Sequence, residues 1–250
     1  MARVFVPPTQ IKGGQAYITG AEMEHINRVL RLAAGDEVTI IDGLGGVFLA
    51  RITGKNKDTV FCDITEAGLP DNEPPVKVTL VQGLPKADKM ELVVQKGTEL
   101  GLACLIPLQC ERAIVRLDPK KSAQRQERWQ RIAMEAAKQC RRAKYPKVEQ
   151  VMNWQEVLNS VPKQALALLP WEEESGRGIK SLRDKYKASA LSEFFVFIGP
   201  EGGFTEKEVL RAQDYGVIPV SLGPRILRTE TAGLAVLSML MYEFGDLGGV

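Results

Sequence analysis

The hydrophobic rhythm of the chain changes near residue 70. Before that point short alternating or β-branched runs dominate, at residues 4–6, 15–18, 37–41, 47–53 and 59–66, with turn dipeptides at Asp42-Gly43 and Gly45-Gly46. They predict a small β-rich unit. One helix interrupts it, because Thr19-Gly20-Ala21-Glu22 has capping-box spacing and Met23, Ile26 and Leu30 recur at helical intervals. Residues 68–75 are rich in Gly, Pro and Asn and carry no periodicity, which marks a linker. Beyond it strands and helices alternate: strand 77–82, helix 89–100, strand 103–108, helices 122–142 and 154–158, strand 165–169, then strands 194–198 and 217–221. That alternation predicts a parallel sheet covered by helices, an α/β fold.

Each of the last two strands runs into a Gly-Pro loop and then a helix. The first loop is Gly199-Pro200-Glu201-Gly202-Gly203-Phe204, followed by Thr205 and, three residues on, Glu208, a second capping-box signature. The second is Leu222-Gly223-Pro224-Arg225-Ile226-Leu227-Arg228-Thr229-Glu230, followed by the apolar run 231–244. Ligands of parallel sheets bind beyond the carboxyl ends of the strands, so two such loops predict one shared pocket. Neither a Walker loop nor a dinucleotide fingerprint is present, which argues against a phosphate site. Taken singly, either loop reads as a glycine-rich turn. Arg225, Arg228 and Glu230 make the second too charged for a core turn.

Together these segments closely resemble the paired motifs of the bacterial 16S ribosomal RNA (uracil-N3) methyltransferases, a family of the SPOUT superfamily. His25-x-x-Arg28-Val29-Leu30-Arg31 before Gly35-Asp36 is similar to that family's amino-terminal motif, and Lys89-Met90-Glu91 through Gln95-Lys96 and Glu99-Leu100-Gly101 to its central one. The resemblance covers nearly the whole chain. It implies a PUA-like β-barrel RNA-binding domain over residues 1–73 and a SPOUT methyltransferase domain over 74–250, with a carboxyl-terminal trefoil knot. It also implies S-adenosylmethionine as cofactor, N3 of a specific uridine in 16S ribosomal RNA as acceptor, and a homodimer with its active site near the subunit interface. One departure stands out: Gln139-Cys140-Arg141-Arg142 occupies a place where family members often have Gln-Cys-Gly-Arg or Gln-Ser-Gly-Arg, so Arg141 replaces a glycine.

Composition changes the picture in one place only. The 250 residues are 44% hydrophobic and 26% charged, ordinary for a globular protein, with a net charge of +2. Residues 112–147, however, hold twelve basic side chains against three acidic ones, Asp118, Glu127 and Glu135. Such an imbalance suits a surface that contacts phosphates, with Arg125, Arg131, Lys138, Arg141 and Arg142 as candidates; Arg28 and Arg31 extend it or are ordinary surface charge. Four cysteines without a Cys-x-x-Cys pair, and a single histidine, predict no metal site and a reducing, cytoplasmic setting. No run is long and apolar enough to span a bilayer.

The chemistry demands a pocket for the methyl donor and a group that stabilises charge on the acceptor base. On the family reading, S-adenosylmethionine lies among residues 168–170, 198–203 and 222–228. Leu169, Leu222, Ile226 and Leu227 supply apolar walls, and Gly199, Gly202 and Gly223 allow close backbone approach. Ile198, Pro200 and Arg228 complete the lining, and Glu201 binds a ribose or orders its own loop. Arg228 is the first candidate to stabilise a deprotonated uracil and Arg225 the second. Glu230 accepts the proton, orients Arg228, or simply stands near the amino end of the last helix; Arg142 reaches in from the basic segment. His25 reads as a packed or capping residue, and Trp129, Trp154 and Trp171 as core or interface residues before stacking platforms. The run 231–244 is apolar on nearly every side, so a second copy or full burial in one subunit must cover it, with Leu240 and Met241 as candidate dimer contacts. A methyltransferase for another RNA atom, a non-catalytic ribosome-assembly module and a small-molecule α/β enzyme remain the alternatives.

Overall fold

The computed structural model describes residues 2–69, 72–186 and 191–249. They divide between two compact units, residues 1–73 with 137–145, and residues 74–136 with 146–250. Residues 137–145, expected from the sequence in the second domain, thus belong to the first unit.

The first unit contains β1 (Ala2–Phe5), β2 (Ile11–Lys12), β3 (Gln15–Thr19), α1 (Gly20–Glu24), β4 (Glu37–Ile41), β5 (Val47–Lys55) and β6 (Thr59–Ala67). The strands form one sheet in the order β1-β4-β5-β6-β3-β2, antiparallel throughout except for the β1–β4 pair. Alternate residues point inward, so Ala16 and Ile18 on β3, Val38 and Ile40 on β4, and Ala50 and Ile52 on β5 build its core with Ile26. The helical segment departs from expectation. Gly20 at φ 60° opens it, and Thr19 makes no capping bond; the Thr19 hydroxyl instead accepts from Gln10 Nε2 at 3.0 Å. After Glu24 the segment widens to a π-helical turn over His25–Leu30, which leaves His25 exposed rather than packed.

The second unit holds β7 (Lys77–Gly83), α2 (Lys89–Glu99), β8 (Cys104–Gln109), most of α3 (Pro119–Gln139), β9 (Lys147–Val148), β10 (Met152–Asn153), α4 (Trp154–Ser160) and β11 (Leu166–Pro170). There follow α5 (Ile179–Tyr186), β12 (Glu193–Ile198), α6 (Glu206–Asp214), β13 (Ile218–Val220) and α7 (Thr229–Phe244). All its strands are parallel, in the order β10-β8-β7-β12-β11-β13 with β9 beside β8. Along β12, Phe194, Val196 and Ile198 face one core layer with α2 and α7, and Phe195 and Phe197 face the other with α4 and α6. This two-sided burial explains why the strand reads as an unbroken apolar run. Trp129 and Trp154 are core residues, the latter packed edge-on against Phe197.

Two further features decide how the expected site residues are used. α3 ends in a Schellman turn, with Arg142 N–H donating to Ala137 O at 3.0 Å and Arg141 N–H to Lys138 O at 3.2 Å. Arg141 occupies its left-handed position at φ 65°, the conformation that favours the family's glycine. On α7, Val236, Leu237, Leu240 and Met241 are buried within the unit, whereas Met239 and Tyr242 are the large apolar residues left exposed. Leu240 and Met241 are therefore core residues of one chain and not surface candidates for a dimer.

Candidate active site at the ends of β11 and β13

Strand order brings the loops together. β11 lies between β12 and β13, so the segments leaving their carboxyl ends, from Pro170, Gly199 and Ser221, emerge side by side. A pocket of about 550 Å³ opens there, within the range of roughly 300–1,000 Å³ usual for small-molecule sites. Pro170, Leu222, Ile226 and Leu227 give it apolar walls, and Arg225, Glu172 and Glu174 give it charge. Trp171 lines it too, its backbone N–H donating to Val220 O at 3.0 Å. Such a lining suits a ligand with a flat apolar part and a cationic part.

Of the expected cofactor residues, Leu222, Gly223, Ile226 and Leu227 line this pocket, as does Arg225. Leu169 is fully buried behind Pro170. Ile198, Gly199, Pro200, Glu201, Gly202 and Arg228 do not line it. The first Gly-Pro loop stands beside its acidic wall: a Cβ placed on Gly203 would lie 2.9 Å from Glu172 Oε1. The loop is tightly built. A Cβ on Gly199 would come within 3.0 Å of the Gly203 backbone, and Arg112 Nη1 donates to the carbonyls of Gly202 and Phe204, each at 3.2 Å. The Thr205 capping box forms as the sequence predicted, Thr205 accepting from Glu208 N–H and Glu208 from Thr205 N–H.

Arg228 is the amino-terminal cap residue of α7 and is exposed beside the pocket segment. Two contacts tie the residues after it to the first loop. Thr229 Oγ1 donates to Gly199 O at 2.5 Å and accepts from the buried Gln82 Nε2 at 2.8 Å. Lys89 Nζ, at the first position of α2, lies 2.9 Å from Glu201 Oε1 and 3.2 Å from Glu230 Oε2. The hydrogen bond to Glu201, reinforced by Glu230, raises the Lys89 pKa. Partial burial alone would push the Glu201 carboxyl up; the hydrogen bonds from Lys89 and from the Lys86 N–H outweigh it and hold that carboxyl below its ordinary value.

The remaining candidates lie elsewhere in their units. Arg142 is 5% exposed and paired with Glu73 in the first unit. Lys138 pairs with Glu22 and lies over the Phe5 ring. Arg125 and Arg131 are exposed on α3, as are Arg28 and Arg31 in the first unit and Arg141 at the turn. Burial pushes the Cys62 thiol up to about 11 and the Cys104 thiol to about 12, so these two stay protonated at neutral pH. Among the described residues no group of side chains is arranged to hold a metal ion. Lys89, Thr229, Gln82 and Glu172 were not among the site candidates, although Lys89 opens the segment similar to the family's central motif and Thr229 lies in the second loop; a further local signal was Lys89 as a cation at a helix start, where the dipole disfavours it.

Comparison with known proteins places the chain in a family. Residues 72–241 match the RNA methyltransferase domain model, and residues 18–65 match the RNA methyltransferase PUA domain model. The chain is 39% identical to the ribosomal RNA small subunit methyltransferase E of Bacillus subtilis over 100% of its own length and 99% of that protein. It is 35% identical to the protein of that name from Synechocystis, over 95% of this chain and 76% of the relative. A crystal structure of ribosomal RNA small subunit methyltransferase E from Neisseria gonorrhoeae, bound to S-adenosyl methionine, superposes with a TM-score of 0.84 at 33% identity, covering 98% of this chain and 99% of that one. The fold is that of an RNA methyltransferase, and the chain belongs to the ribosomal RNA small subunit methyltransferase E family.

Proposed function

We propose that this protein uses S-adenosylmethionine to methylate N3 of a uracil in 16S ribosomal RNA. The observation that carries the reading is the full-length likeness to the Bacillus subtilis relative, whose name states the small-subunit ribosomal RNA as substrate. The pocket fits the cofactor. Leu222, Ile226 and Leu227 suit the adenine, and Glu172 and Glu174 suit the cationic methionyl end. When bound, the cofactor supplies an electrophilic methyl group on a sulfonium.

The protein's own residues prepare the acceptor. Neutral uracil N3 bears a proton and is a poor nucleophile until that proton leaves. Its loss spreads negative charge over N3, O2 and O4, which the paired donors of the Arg228 guanidinium are suited to stabilise, with Arg225 behind it. The basic surface of α3, with Arg125 and Arg131 exposed, holds the RNA backbone without reading its bases. A trefoil knot in the second unit, a homodimer and a cytoplasmic location belong to the same proposal, carried by the family likeness. For the dimer, Met239 and Tyr242 are the exposed apolar positions of α7.

The test is mass-spectrometric nucleoside analysis of 16S ribosomal RNA from cells with and without the protein, followed by transfer of a labelled methyl group in vitro. Loss of 3-methyluridine on deletion and its return with the purified protein are expected. An unchanged 3-methyluridine content would reject the acceptor assignment.

A further inference from the structure

Resting on that reading, we propose that Lys89 is a positioning residue for methyl transfer, clamping the first Gly-Pro loop to the amino end of α7 and so setting Arg228 for the acceptor base. A lysine at the first position of α2 places a cation where the helix dipole opposes it. Two carboxylates from segments far apart in sequence compensate, Glu201 in the first loop and Glu230 two residues after Arg228. Neither pair is a loose surface bridge: the side chains are 28%, 29% and 14% exposed for Lys89, Glu201 and Glu230. Exposed pairs contribute little. This one joins one lysine to two carboxylates, and its Glu230 side is the more sheltered.

The turn before α2 is shaped to deliver the cation. Ala87 sits in the left-handed region at φ 54°, and Glu201 accepts from Lys86 N–H at 3.1 Å on one side of it and from Lys89 on the other. A non-glycine residue persists there only where its surroundings dictate it. The second tie is the hydroxyl of Thr229, which bonds Gly199 O and is itself held by Gln82, fully buried on β7. These contacts tie residues 199–201 to Thr229 and Glu230, and Arg228 immediately precedes the tied segment. Glu230, 3.2 Å from Lys89, serves this clamp.

Four forms of the full-length protein test the clamp: Lys89→Met, Lys89→Arg, Glu230→Gln and the double variant Lys89→Met with Glu230→Gln. With small ribosomal subunits and labelled cofactor, Lys89→Met is expected to lose roughly 100-fold in kcat while KM for the cofactor stays within about threefold, as for displaced catalytic geometry. Lys89→Arg restores most of the rate, and the double variant is no slower than the slower single one, because both remove the same contact. Without cofactor, hydrogen exchange in Lys89→Met rises together over residues 199–204 and 228–232 and is unchanged in α4. Glu230→Gln shows the same paired rise, which keeps the test open if Lys89→Met does not fold. A kcat within threefold of wild type, additive losses, or faster exchange confined to α2 would each overturn the clamp. Absence of methyl transfer by the wild-type protein would instead reject the functional reading, with the exchange data still deciding the clamp.

Discussion

The guanidinium of Arg142 lies 2.8 Å from the carboxylate of Glu73, 69 positions earlier in the chain, with both side chains under 10% exposed. Glu73 also accepts from the N–H groups of Ala143 and Lys144, at 2.9 and 2.8 Å. One carboxylate thus fastens the segment after α3 into the first unit and employs the arginine that the basic stretch had offered for RNA or catalysis. Removing one partner strands the other charge out of water. Arg142→Ala is expected to cost about 3–5 kcal/mol of unfolding free energy in urea titration of the full chain. A loss below about 1 kcal/mol would mean the pair does not hold the segment.

Arg141 tells the opposite story. Its side chain is exposed while its backbone occupies the left-handed position of the Schellman turn. A side chain there costs roughly 1–2 kcal/mol that glycine avoids. Arg141→Gly is therefore expected to stabilise the protein by about 1 kcal/mol, net of the extra freedom of the unfolded chain. Urea midpoints that fall rather than rise would contradict this.

A Cβ on Gly199 would crowd the Gly203 backbone at 3.0 Å, and Gly223 at φ 104° has a backbone that side chains rarely adopt. Gly199→Val and Gly223→Val should each weaken S-adenosylmethionine binding at least ~10-fold, a little over 1.4 kcal/mol, and leave most RNA affinity intact. Calorimetry is the check. Unchanged cofactor affinity in both variants would remove these loops from the site.

Arg228→Ala should give a folded protein that binds cofactor normally and turns over roughly 100-fold more slowly, the usual loss for one charge-stabilising donor. Single-turnover transfer at saturating cofactor measures it. Near-normal turnover would take Arg228 out of the chemistry.

Arg125 and Arg131 are exposed on α3, whereas Lys138 is engaged with Glu22. Reversing both arginines to glutamate should weaken RNA binding and reduce the slope of log affinity against log salt by about 1–2, one phosphate contact for each. Reversing Lys138 should instead lower stability. A slope unaltered by the double arginine change would mean that α3 does not touch RNA.

The linear chain already contained whatever depends on neighbours a few residues apart. Two-residue alternation marked β4 to β6, unbroken apolar runs marked β8 and β12, and the Thr205–Glu208 spacing marked the start of α6, since all three are local. The paired Gly-Pro loops identified the family, and pocket residues Leu222 to Leu227 followed from them. Tertiary structure decided the uses of the charged residues. Thr19 has capping-box spacing, but its hydroxyl meets Gln10 first. Arg142 and Lys138 look like free cations until the fold brings Glu73 and Glu22 to them. Lys89 looks like one more helix lysine until β12 and α7 deliver Glu201 and Glu230. Leu240 and Met241 look as available as Met239 until the sheet selects which side of α7 it covers. Periodicity can state that a residue is apolar or charged; only contacts made over long sequence separations determine whether that charge is paired and which apolar face reaches solvent.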